Sequence, residues 1–100
     1  MRHGTDLVRE TKVEQRFTRR VKGLGGWAVK ILPSVSGLPD RMAIMPGGRV
    51  IFVELKAPKG TVAPHQTVVH RRLASLGSPV EVLATLEAVD SWADAQALLL

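Results

Sequence analysis

The stretch that decides the fold is Gly37-Leu38-Pro39-Asp40-Arg41-Met42-Ala43-Ile44-Met45, then Pro46-Gly47-Gly48, then Arg49-Val50-Ile51-Phe52-Val53-Glu54-Leu55-Lys56. Two apolar segments, Arg41–Met45 and Arg49–Lys56, flank a proline and two glycines, which is the pattern of a β-hairpin. A loop over 46–48 pairs Met45 with Arg49, and the register then sets Ile44 opposite Val50, Met42 opposite Phe52 and Asp40 opposite Glu54. Directly opposed side chains share a face and lie about 5 Å apart at Cβ. Lys56 is two residues beyond Glu54 and shares that face. The other face, Ala43, Ile51, Val53 and Leu55, is apolar and reads as core. A loop of Gly47-Gly48 alone would set Arg41 opposite Glu54 instead, so one residue of register decides the chemistry.

Like charges opposed across a sheet destabilise it. Asp40 and Glu54 at the end of an apolar face therefore need a cation. Lys56 is one. A hard divalent ion such as Mg²⁺ is another, since it takes oxygen ligands and binds one or two carboxylates alongside phosphate oxygens. The Leu55 carbonyl offers a further oxygen, and a lysine beside such a site can orient or deprotonate an attacking water. The same residues also allow a plain strand-end salt bridge between Lys56 and Glu54 or Asp40. The bare Glu-x-Lys pattern is weak by itself.

Outward from the hairpin the chain alternates helix and strand. Val13, Phe17 and Val21 recur at helical spacing within a helix expected over 6–22, with Asp6 as N-cap and Gly23, Gly25 and Gly26 as its end. A strand is expected over 27–32 and a loop over 33–39. After the break at Ala57-Pro58-Lys59-Gly60, Pro64 suits the first turn of a helix with Val69, Leu73 and Leu76 as its apolar stripe, stopped by Gly77 and Pro79. A strand over 80–84 and a helix from Leu86 to about Leu98 follow, the latter with Val89, Trp92, Ala93 and Leu99 as its buried side. The expected fold class is α/β, one domain over 1–100 in the order α-β-β-β-α-β-α, with the first five residues loose.

The chain has 100 residues, 45% of them apolar, enough for one core. Absence of cysteine excludes disulfides, a thiol nucleophile and Cys-based metal sites, and agrees with a reducing cytoplasm. No apolar run is long enough to span a membrane, and MRHGTDLVRE has no signal-peptide core. All fourteen Lys and Arg lie between Arg2 and Arg72 with five acids, a net of +9, whereas residues 73–100 carry four acids and no base. A basic body with an acidic tail is the footprint of a phosphate binder.

Gly37-Leu38-Pro39-Asp40-Arg41 followed by Phe52-Val53-Glu54-Leu55-Lys56 resembles the PD-(D/E)xK nuclease superfamily, and more narrowly the VRR-NUC domain. Glu14 in the first helix and Gln66 in the helix after Glu-x-Lys stand where that family carries a glutamate and a glutamine, and the resemblance spans about residues 10–84. It implies a restriction-endonuclease-like mixed sheet flanked by helices. It also implies Mg²⁺- or Mn²⁺-dependent hydrolysis of DNA phosphodiesters. By position, Asp40, Glu54 and the Leu55 carbonyl would hold the metal, Glu14 would approach it directly or through water, Lys56 would handle the water, and Gln66 would orient the site. Short members of the family resemble Holliday-junction resolvases, which implies a homodimer acting on branched DNA in the cytoplasm of a bacterial or phage-infected cell.

Lys30, Lys59, Arg71 and Arg72 are candidates for phosphate contacts, each also readable as ordinary surface charge. His65 and His70 are five residues apart, a poor spacing for a metal pair on one helical face, so solvent or phosphate contact is expected of them. Trp27 and Trp92 are expected in the core or an interface, and Leu98-Leu99-Leu100 on the core or in a dimer contact. The competing reading is a non-catalytic nucleic-acid-binding module that retains the nuclease fold.

Overall fold

A computed structural model describes residues 4–32, 34–57 and 60–100, with only the helical backbone for residues 4–10. The elements follow the expected order: α1 (Gly4–Gly23), β1 (Trp27–Lys30), β2 (Arg41–Ile44), β3 (Val50–Leu55), α2 (Pro64–Ser75), β4 (Val80–Leu83) and α3 (Leu86–Ala97). The strands form one mixed sheet in the order β1-β2-β3-β4. β1–β2 and β2–β3 are antiparallel, and α2 is the crossover to the parallel pair β3–β4.

The hairpin takes the three-residue loop. Met42 faces Phe52 and Ile44 faces Val50, and the Met45 N–H donates to the Arg49 carbonyl at 2.8 Å. Gly47 and Gly48 both have φ near +85° (87° and 84°), which other residues adopt only with strain. The register therefore fixes the two faces as read from the sequence.

One face packs against α1 and α3. Val13, Phe17 and Val21 of α1, Ala43 and Met45 from the β2 segment, Val53, Leu55 and Leu83 of the sheet, and Val89, Trp92 and Ala93 of α3 form the core, with the Phe17 and Trp92 ring centroids 5.4 Å apart. Arg16 and Arg20 of α1 pair with Asp90, and Arg20 also with Asp94, tying α1 to α3 beside this core. The opposite face carries α2, which has no fully buried residue. Gly37 allows the loop before β2 to lie against α2, because a Cβ there would meet the His65 carbonyl oxygen at 2.6 Å.

Several expectations are corrected at the edges of elements. Leu99 is not on the buried side of α3; the helix ends at Ala97 and Leu98, Leu99 and Leu100 are exposed. Leu76 is likewise exposed, Trp27 lies outside the core of the single chain, and β1 stops at Lys30, leaving Leu32 in solvent. Helical or alternating periodicity identifies a stripe, but a stripe is buried only where another element covers it. Of the five residues expected to be loose, 1–3 lie outside the described residues, while Gly4 and Thr5 belong to α1, which therefore starts before Asp6.

Candidate active site

Three chain segments converge at the rim of the sheet: the residue before β2, the end of β3 and the first turn of α2. Asp40 is fixed on several sides. Its Oδ1 accepts the Leu55 N–H at 3.0 Å. Its carbonyl accepts the Ile31 N–H at 2.9 Å and Arg41 Nη1 at 2.9 Å. The hairpin thus uses the Asp40 carboxylate to satisfy a backbone donor just past the last paired residues, where the ladder no longer does so.

Glu54 is charged yet only 3% exposed. One oxygen, Oε2, lies 3.1 Å from Lys56 Nζ. The other, Oε1, is buried with no hydrogen-bond partner among the described residues. Lys56 Nζ also donates to Gln66 Oε1 at 3.1 Å, and the same oxygen accepts the Ala63 N–H at 3.1 Å. Gln66 thereby holds the start of α2, which has no side-chain cap from Ala63, and positions the lysine with one atom. Asp40, Glu54, Leu55 and Lys56 together with Ala57, Gly60 and Thr61 line a cleft of about 330 Å³.

Burial raises the Asp40 pKa above the ordinary carboxylate value; the Leu55 N–H opposes this, the neighbouring Glu54 charge adds to it, and the Arg41 and Lys56 charges oppose it. Two carboxylates, one partly buried and the other with a buried oxygen unpartnered among the described residues, share one wall of the cleft, with Lys56 and Arg41 as the neighbouring cations. An unpartnered buried acceptor normally costs about 1–3 kcal/mol. A hard divalent cation with oxygen preference fits this donor set.

Glu14 enters differently. It lies on α1, on the core side of the sheet, and its Oε2 is 3.0 Å from Arg41 Nη2. Arg41 is buried, and its Nη1 bonds the Asp40 carbonyl and lies 3.6 Å from Asp40 Oδ2. The structure therefore links Glu14 to Asp40 through Arg41. Among the described residues no three His, Cys, Asp or Glu side chains converge as a metal-ligand group.

Reading the sequence missed two participants. Arg41 was legible in principle: alternation puts it on the core face with Ala43 and Val53, and a buried guanidinium demands an acid, which Glu14 supplies beside the Val13–Phe17 stripe. His70 follows Gln66 by four residues on α2 and so shares its face. Contrary to the expected solvent or phosphate contact, its Nε2 is buried without a partner among the described residues. Burial lowers its pKa, with the Glu54 charge acting in the opposite sense and Lys56 reinforcing the fall. Of the phosphate-contact candidates, Lys30 ends β1 in solvent, one residue before the Ile31–Asp40 bond, and Arg71 and Arg72 are exposed on α2. Lys59 lies outside the described residues.

No family model matches the chain. It is 42% identical over 78 residues to "Putative nuclease p44" of Acyrthosiphon pisum secondary endosymbiont phage 1, covering 77% of this chain and 84% of that protein. It also superposes on a solved VRR-NUC domain with a TM-score of 0.77 and 33% identity, covering 83% of this chain and 91% of that one. The helix–strand order and the four-stranded mixed sheet define a nuclease-type α/β fold. Within that class, the chain belongs to the VRR-NUC family of nuclease domains.

Proposed function

We propose that this nuclease is a Mg²⁺- or Mn²⁺-dependent DNA endonuclease, acting on branched DNA as a homodimer in the cytoplasm of a bacterial or phage-infected cell. The observation that carries the metal dependence is Glu54: buried, paired on one oxygen with Lys56, and orphaned on the other in the cleft it shares with Asp40. Asp40, Glu54 and the Leu55 carbonyl are the residues that would hold the metal. Such an ion, when bound, neutralises phosphate charge and lowers the pKa of a water.

The protein's own contribution is placement. With Glu54 and Gln66 on two sides, the Lys56 ammonium has a third N–H for the attacking water or a phosphate oxygen. Gln66 keeps that amine on the cleft wall. Glu14 acts through Arg41, which fixes the backbone carrying Asp40. Lys30, Lys59, Arg71 and Arg72 are assigned to the DNA backbone, in keeping with the net +5 charge. Two copies related by a two-fold axis would present two clefts to a symmetric junction.

The test is Mg²⁺-dependent cleavage of a labelled four-way junction beside a linear duplex and a flap, with wild type run against Lys56→Ala and Asp40→Ala. Symmetric cutting of the junction by wild type alone is expected. Cutting of flaps or linear DNA alone would keep the nuclease and remove the junction preference. Binding without cutting in either Mg²⁺ or Mn²⁺ would mark a non-catalytic module.

A further inference from the structure

A second feature lies on the other side of the same rim. The outward side of α1 and the start of α3 enclose a groove of about 310 Å³ lined by Lys12, Gln15, Arg16, Arg19 and Leu86. Three of these five residues are cations and none is acidic; Glu87, exposed in the adjoining turn, does not line the groove. Positions 12, 16 and 19 follow helical spacing, so the cations form one stripe over two turns. Arg16 is held by Asp90, which fixes its guanidinium at the groove wall. Lys12 and Arg19 are exposed and have no ion pair among the described residues. This contrasts with Arg20 on the same helix, which Asp90 and Asp94 neutralise.

The topology places this groove at the cleft's end of the sheet. β3 and β4 are parallel, so both finish at one rim: Leu55 pairs with Leu83, and the Lys56 N–H donates to the Leu83 carbonyl at 3.0 Å. Leu86 follows Leu83 by three residues. From the α1 side, Glu14 sits between Lys12 and Gln15 and reaches the rim at Arg41, 3.0 Å away and adjacent to Asp40. The cleft opens on the α2 face and the groove on the α1/α3 layer, with the rim between them.

We infer that this groove is a second phosphate-binding site, which holds the backbone of a DNA duplex laid across the rim while another part of that DNA enters the cleft. The inference rests on the reading of the protein as a DNA nuclease and adds where the DNA lies. Two of the groove's three cations, Lys12 and Arg19, have no acid partner among the described residues, and Arg16 is held between them by Asp90, a spaced row of cations that suits a polyanion of regularly spaced phosphates better than a single carboxylate ligand. Contacts of this kind position DNA and carry no sequence information.

Binding of a fluorescein-labelled duplex, measured in EDTA across a salt series, tests it independently of cleavage. Lys12→Gln/Arg19→Gln removes two exposed charges that make no ion pair or hydrogen bond among the described residues. It should weaken binding on the order of tenfold and make the slope of log K against log salt shallower by about 2. Lys22→Gln, one exposed α1 charge outside the groove, should change the slope by much less than half of that. An unchanged slope in the double variant, or an equal loss per charge from Lys22→Gln, overturns the groove and leaves the nuclease standing. A groove-dependent slope from a protein that cuts nothing with Mg²⁺ or Mn²⁺ sustains the groove and sinks the nuclease. A wild type that binds no duplex overturns the groove.

Discussion

Towards α1 and α3 the sheet presents Ala43, Val53, Leu55 and Leu83, each at most 4% exposed and packed against Phe17 and Trp92. Towards α2 it presents Glu54 with an unpartnered oxygen, and leaves Val50 and Trp27 open, the latter 68% exposed. The same hairpin makes both faces, since successive residues of a strand point to opposite sides. One face thus has the close packing that holds the fold together. The other has a buried acid with an oxygen unpartnered among the described residues, a partly buried Asp40 and thin cover, an arrangement that a well-packed face does not need.

The contrast predicts that stability and activity separate by face. Phe17→Ala, on the packed face, should cost about 3–5 kcal/mol in urea unfolding, with the cleavage rate per folded molecule unchanged. A large loss of rate in the folded fraction would break the separation. Arg41→Ala should be the exception, because Arg41 belongs to the core face by burial and to the site through Asp40 and Glu14. It should lower stability by about 1.5–3 kcal/mol and cleavage by about 10–100-fold. Glu14→Gln should reproduce part of both.

Asp40→Asn should show the opposite pattern: no cleavage, with a Tm in EDTA at neutral pH equal to or above wild type. The sign follows from the raised Asp40 pKa, whose first cause is burial. A carboxyl with a folded-state pKa above its unfolded value adds stability below the unfolded pKa, and that contribution is lost as pH rises through the folded one. Between the ordinary Asp value and the raised one, metal-free wild type should therefore lose stability relative to Asp40→Asn. A variant less stable than wild type at neutral pH would place Asp40 among the structural residues. The smallest effect is expected at Leu99→Ser, within about 0.5 kcal/mol, since Leu99 is exposed.

The hairpin register and the Asp40/Glu54/Lys56 grouping were legible because Pro46-Gly47-Gly48 and the alternation of Met42, Ile44, Val50 and Phe52 permit few alternatives. Gln66 was placed by the resemblance, and its double bond to Lys56 and Ala63 supplies the physical reason for a glutamine there. Arg41 and His70 escaped because hydrophobic patterning treats charged and imidazole side chains as outward by default. Arg41 is buried because Glu14 of α1, distant in sequence, meets it, and the His70 Nε2 is covered without gaining a partner among the described residues. Leu76 and Leu99 failed for the converse reason: their spacing matches an apolar stripe, yet no element covers them.

The central claim is that the poorly satisfied face is built for a divalent metal. The most direct measurement is the Tm of wild type and Asp40→Asn during titration with Mn²⁺, without DNA. The account predicts that wild type gains stability, by about 2.7 kcal/mol once the free ion is a hundredfold above its Kd, while Asp40→Asn gains little. An equal gain in both proteins, or none in either, would contradict it.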